Sequence, residues 1–119
     1  MKYIFLIYSD EANNPAPDSV EFGEIMAGYN AFNEEAQAAG ILVAGEPLEP
    51  VAAASTVSVR DGVRSVTDGP FAETKEQLGG FYILDCKDLD QALSFAAKIP
   101  SAKHGRIEVR PIWEHCGGE

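Results

Sequence analysis

The stretch FYILDCKDLDQAL, residues 81–93, decides the fold. Residues 81–86 read as a strand that is apolar on both faces, Phe81 and Ile83 on one side and Tyr82 and Leu84 on the other, so it needs cover above and below. Asp88 then stands where a helix N-cap belongs. Gln91, three residues on, completes the capping pattern, and Leu89, Ala92, Leu93 and Ala96 mark an inward stripe. Pro100 stops this helix. A last strand, residues 107–110, alternates Ile107 and Val109 with Glu108 and Arg110.

The same succession opens the chain. Residues 2–9 form a strand with Tyr3, Phe5 and Ile7 on one face and Ile4, Leu6 and Tyr8 on the other. After a loop at 13–17, Asp18 reads as an N-cap with Glu21 as its capping-box partner. Phe22, Ile25, Met26, Tyr29, Phe32 and Ala36 follow at helical spacing, and Gly40 takes the role just past the helix end. A short strand at 41–44 is punctuated by Gly45-Glu46-Pro47. Residues 56–60 and 63–67 flank Asp61-Gly62, a hairpin signal. The order is β-α-β, a hairpin, then β-α-β. It predicts one α+β domain over residues 1–119, of the ferredoxin-like split-βαβ plan, with an antiparallel sheet, two helices on one face and an extra β-hairpin.

Bulk composition removes several function classes. A chain of 119 residues holds one modest core. Nineteen acidic residues against nine basic ones give a net charge of -10, which disfavours direct nucleic-acid binding. No run approaches the ~20 apolar residues of a membrane span. The apolar run at 3–8 lacks a cleavage site and reads as a buried strand, not an export signal. Cys86 and Cys116 form no CxxC pair; one disulfide is arithmetically possible, but without an export signal two thiols fit the reduced state better, so the expected location is cytoplasmic. No phosphate loop, dinucleotide fingerprint or Gly-x-Ser-x-Gly motif is present, so no cofactor is expected. Glu114-His115-Cys116 has no second ligand pair at useful spacing, so no metal site is expected either.

Two helices cover one sheet face and leave the other open, yet the first strand and residues 81–84 are apolar on both sides. A second copy of the chain is the simplest cover, giving an isologous homodimer. Glu108 and Arg110 point to that open side. Enclosed by a dimer, they fit a small-ligand cavity; left in water, they fit an edge strand whose charges keep neighbours away.

The segment TDGPFAETKEQLGG, residues 67–80, carries strong turn chemistry in Asp68-Gly69-Pro70. Pro70 is placed to open one helical turn, decorated by Glu73, Lys75, Glu76 and Gln77 and anchored by Phe71 and Leu78. Gly79-Gly80 either caps that turn or lets another backbone approach. The segment fits a structured loop with ordinary surface charges. It also fits a site in which Asp68, Glu73 and Lys75 line the mouth of a cavity beneath the open face. His104, after the second helix, fits an exposed loop residue or a general base that reaches the open face.

VTDGPFAETKEQLGGFYILDC (66–86), YIFLIYSDE (3–11), AGILVAGEPLEP (39–50) and GRIEVRPI (105–112) together resemble the DGPF subgroup of the YCII-related family, over nearly the whole chain. The resemblance implies the dimeric α+β barrel form of the ferredoxin-like fold. Some members of the family accompany extracytoplasmic-function sigma factors. Other branches of the superfamily carry a His-Asp pair proposed as catalytic, and one is a lyase-type dechlorinating enzyme. That His lies near the first helix, where this chain has none; its histidines are His104 and His115. The polar positions matching the subgroup are Asp68, Glu73, Lys75, Glu76, Glu108 and Arg110.

The combined expectation is a cytosolic homodimer that holds a small polar or anionic organic molecule between the open sheet face and the DGPF loop. Asp68, Glu73 and His104 are its candidate proton-transfer groups, in isomerase- or lyase-type chemistry. Phe71, Lys75, Glu108 and Arg110 are its candidate ligand contacts. The rival expectation is a non-catalytic regulatory or scaffolding module, for example one associated with an extracytoplasmic-function sigma factor system.

Overall fold

The computed structural model describes residues 1–114. Its strands and helices run β1 (Lys2–Ser9), α1 (Val20–Ala38), β2 (Leu42–Pro47), β3 (Ser55–Arg60), β4 (Val63–Asp68), β5 (Gln77–Asp85), α2 (Leu89–Ala96) and β6 (Arg106–Pro111). Four strands form an antiparallel sheet of order β2-β5-β1-β6, and β3 pairs with β4 alone. With both helices on one face, this is the expected ferredoxin-like α+β fold.

The core lies between sheet and helices. Tyr3, Phe5 and Ile7 of β1 and Tyr82 and Leu84 of β5 are buried against Phe32 and Ala36 of α1 and Ala92, Phe95 and Ala96 of α2. Phe32 joins the two halves, its ring centroid 4.8 Å from Tyr82 and 6.1 Å from Phe95. The α2 stripe therefore differs from the expected one: Ala92 and Ala96 face inward with Phe95, while Leu89 and Leu93 are exposed. Docking the larger Phe95 ring on Phe32 sets the helix rotation.

Local signals acted as expected where they stand alone. The Asp88 carboxylate accepts the Gln91 N–H at 2.8 Å, and Gln91 Oε1 accepts the Lys87 N–H at 2.8 Å. Gly40 has φ +75°, and the bonds Gly40 N–H to Gln37 O and Ile41 N–H to Ala36 O close α1 in a Schellman motif. Asp61 and Gly62 both have positive φ, as a two-residue hairpin turn demands.

Other expectations shift. Ser19, not Asp18, caps α1: its Oγ accepts the Phe22 N–H at 3.1 Å and donates to Ala16 O at 2.7 Å. Pro70 opens no helical turn, and residues 69–76 are irregular. Helix α2 ends at Ala96, before Pro100, which instead starts a 3-10 turn, Pro100–Lys103. Strand β5 begins at Gln77, so Gly79 and Gly80 lie within it. Gly80 sits opposite Ile7 where a Cβ would come 3.0 Å from Glu46 O, a close backbone approach that a side chain would crowd. Strand β2 likewise runs through Gly45 to Pro47.

The open sheet face carries Ile4, Leu6 and Tyr8 of β1 and Leu78, Phe81 and Ile83 of β5, all only partly buried. Glu108 lies opposite Leu6 and Arg110 opposite Ile4, so both charges belong to this face, as the alternation predicts. The β3–β4 hairpin stands away from the body and packs substantially on no other strand or helix. The radius of gyration is accordingly 16.5 Å, above the roughly 13.5 Å of a close-packed chain of this length.

Candidate functional site

A cleft of about 640 Å³ lies where the end of β1 meets the start of α1 and the turn after α2. That volume lies within the range of small-molecule sites, roughly 300–1,000 Å³. One wall is Ser9, Asp10 and the loop from Asn13 to Ala16. A second is Ser19, Glu21, Glu24 and Ile25 of α1, and the third is Ser101 and His104.

Each wall is fixed by local chemistry. The Asp10 carboxylate accepts the Ala12 N–H at 3.0 Å, which folds the 3-10 turn Glu11–Asn13. The Tyr29 and Ser101 hydroxyls meet at 2.7 Å and tie α1 to the third wall. Burial pushes the Tyr29 phenol up, with the Ser101 bonds opposing, so it stays a neutral hydroxyl. Gly28 lets α1 approach that wall closely, since a Cβ there would lie 2.8 Å from Pro100 Cγ. Gly105 lies against Tyr8, where a Cβ would collide with the Tyr8 carbonyl oxygen. Its N–H donates to Ser101 O at 2.7 Å, and the His104 N–H donates to the same oxygen at 3.2 Å. The His104 imidazole is exposed and makes no side-chain hydrogen bond among the described residues.

The expected site residues are not assembled in one place. His104 belongs to this cleft and not to the open face. Asp68, Phe71, Glu73 and Lys75 are exposed on the end of β4 and the loop after it, and their side chains are unpaired among the described residues. Gln77 holds that loop: its Nε2 donates to Thr74 O at 2.6 Å and its Oε1 accepts the Glu11 N–H at 2.9 Å. Glu108 and Arg110 are exposed on the sheet face. Glu108 shares with Glu76 of the loop a shallower hollow of about 420 Å³, lined also by Tyr8, Arg106 and Ile107. Arg106 Nε lies 3.4 Å from Glu76 Oε1 across it.

Asp10, Ser19, Glu21, Glu24 and Ser101 are the cleft residues that sequence reading missed. Their one sequence signal was the polar connection between a doubly apolar strand and a helix whose first turns carry Glu21 and Glu24. Among the described residues no three His, Cys, Asp or Glu side chains converge as metal ligands, and His115 and Cys116 lie outside the described residues. No helix among the described residues is long and apolar enough to cross a membrane.

A ferredoxin-like sheet with a polar cleft at the β1–α1 junction defines the general class of this protein. Its family is shown by comparison: the chain belongs to the YCII-related domain family, which matches residues 1–115. It is 41% identical over 121 residues to an uncharacterized protein of Rhizobium meliloti (strain 1021), covering 100% of this chain and 98% of that one. In structure it is similar to 5-chloro-2-hydroxyhydroquinone dehydrochlorinase (TftG) of Burkholderia phenoliruptrix AC1100, solved in complex with 2,5-dihydroxybenzoquinone. The TM-score is 0.53 at 17% identity, with 100% of both chains covered. At that identity the likeness concerns the fold.

Proposed function

We propose that this YCII-related protein binds a small polar organic molecule in the His104 cleft and exchanges a proton with it. The observation that carries the reading is the cleft itself, which presents an imidazole, unpaired among the described residues, beside Asp10, Glu21, Glu24 and the hydroxyls of Ser19 and Ser101. Histidine is the side chain suited to taking up and releasing a proton near neutral pH. Three carboxylates and no Lys or Arg line the cleft, which favours a neutral hydroxylated molecule or a cation over an anion. The dihydroxybenzoquinone bound by the dehydrochlorinase makes hydroxylated rings the first class to test. The chemistry is of the isomerase or lyase type. The Asp68-Gly69-Pro70-Phe71 signature supports the DGPF subgroup, and the free, buried Cys86 thiol fits the cytoplasm. The protein acts as a homodimer closed over the open sheet face, a reading supported by the six apolar side chains there.

A second reading keeps the ligand at the sheet face, favoured by the hollow that Arg106 and Glu76 span; there an anion is the better fit. A thermal-shift screen of hydroxylated aromatics, amines and small carboxylates separates the two. The cleft reading expects a hydroxylated compound or amine to stabilise the protein. It also expects His104→Ala to weaken that compound about 10-fold or more, as loss of one strong hydrogen bond does, with Arg106→Ala neutral. A carboxylate that responds to Arg106→Ala and not to His104→Ala overturns it in favour of the second. No stabilising compound at all counts against both and leaves the non-catalytic module.

A further inference from the structure

The β3–β4 hairpin has two unlike faces. Val57 pairs with Val66 and Val59 with Arg64, so three valines line one face, while Thr56, Ser58, Ser65 and Thr67 line the other, with Arg60 and Val63 at its tip. The valine face is bare: Val57, Val59 and Val66 are 59%, 60% and 54% exposed. A lone two-stranded hairpin is marginal in water, and among the described residues no strand or helix packs substantially on this one. It is nonetheless firmly clipped at its base, where the Gly69 N–H donates to Ala54 O at 2.6 Å and Thr56 Oγ1 donates to Gly69 O at 2.8 Å. Phe71, just beyond that clip, is 90% exposed. A bare valine stripe and an aromatic ring in water, both on a projecting element, suit burial against another molecule.

We propose that the hairpin is an arm that clasps a second copy of this chain. Its valine face lies along an edge of the partner's open sheet face, with Phe71 as the anchor at its root. This rests on the homodimer proposed above and specifies how it is held. The first argument for a second copy is self-complementarity. The same chain carries the arm and the uncovered sheet face, so one two-fold axis covers both at once. The second is length. Six residues per strand make an arm of about 20 Å, matching the six residues of either edge strand, β2 or β6, along which it would lie. The third is charge. At net -10, two copies repel unless local charges match. Arg64 lies on the valine face, and the open face carries Glu46 on one edge strand and Glu108 on the other, both unpaired among the described residues. At either edge the arm's cation meets a carboxylate. Asp68, on the same arm face, is the counterpart of Arg110. The DGPF loop is then the shoulder of an interface.

Light scattering and sedimentation equilibrium on the full chain test this. The wild type is expected to be a dimer. Val57→Thr with Val66→Thr, which keeps the strand preference and sets no like charges opposite each other, raises its dissociation constant about 10-fold, and Phe71→Ala about 10-fold or more. All three positions are exposed, so far-UV circular dichroism of the variants stays that of the wild type. Arg64→Glu weakens the dimer about 10-fold, and adding Glu46→Arg and Glu108→Arg restores it, a rescue that no folding defect imitates. A dimer indifferent to the valine and Phe71 changes overturns the arm and leaves the homodimer standing. A monomeric wild type overturns both, and neither result touches the ligand response of the His104 cleft.

Discussion

Gly45 of β2 lies opposite Tyr82 of β5, and the Tyr82 ring fills the space that a Cβ on residue 45 would take. The ring is thereby free to stack toward Phe32, and its hydroxyl donates to Asn33 Oδ1 at 2.7 Å. One absent methyl group lets an edge strand and the long helix share a single aromatic side chain. Gly45→Ala displaces that ring and is expected to cost about 1–3 kcal/mol, as overpacked cores do. Gly23→Ala, in α1 with open space around it, is expected to stabilise by about 0.5–1 kcal/mol. Urea denaturation of the two variants checks the opposite signs.

The same residue shows where sequence reading stopped. Gly45-Glu46-Pro47 resembles punctuation, because glycine and proline usually end strands; the reason for this glycine is a ring thirty-seven residues away, which no local pattern reveals. Asp88, Gly40 and Asp61-Gly62 were legible because each acts on its immediate neighbours. Asp18 and Ser19 are both capping residues, one position apart, and only the bond to the Phe22 N–H chooses between them. The Leu89 and Leu93 stripe fitted helical period as well as Phe95 did, and tertiary packing on Phe32 decided the rotation. The cleft was least legible of all. Its walls come from three separate segments, so Asp10, Ser19, Ser101 and His104 share no spacing that a linear pattern could detect.

Tyr82 also makes stability depend on alkaline pH. Its phenol is pushed up to about 12, first by burial and then by the neighbouring Tyr29, against the opposing bond to Asn33. Between pH 10 and about 12 the unfolded chain has lost this proton while the folded chain keeps it. The contribution is therefore complete below pH 10 and is lost as pH rises through that window. Tyr82→Phe is expected to flatten the alkaline decline, and phenolate absorbance should show one late-titrating tyrosine missing.

The Tyr29–Ser101 bond, at 2.7 Å, holds the cleft wall to α1. Tyr29→Phe and Ser101→Ala are each expected to cost about 0.5–1.5 kcal/mol, and the double variant less than the sum, since the two hydroxyls serve each other. A double-mutant cycle measured by denaturation reads the coupling. Full additivity would mean that the bond contributes nothing.

Gly105 and His104 should separate support from chemistry in the same wall. A side chain at 105 meets the backbone of Tyr8 and Ser9, which cannot swing aside as a flexible side chain would. Gly105→Ala is therefore expected to sit at the top of the roughly 1–3 kcal/mol overpacking range and to shift His104 with it. His104→Ala removes an exposed imidazole with no partner among the described residues and is expected to change stability by no more than about 0.5 kcal/mol. Ligand response should fall in both variants, with loss of stability in the first alone. Comparable destabilisation by His104→Ala would show that the imidazole supports the fold, and would remove the main reason for placing proton transfer in this cleft.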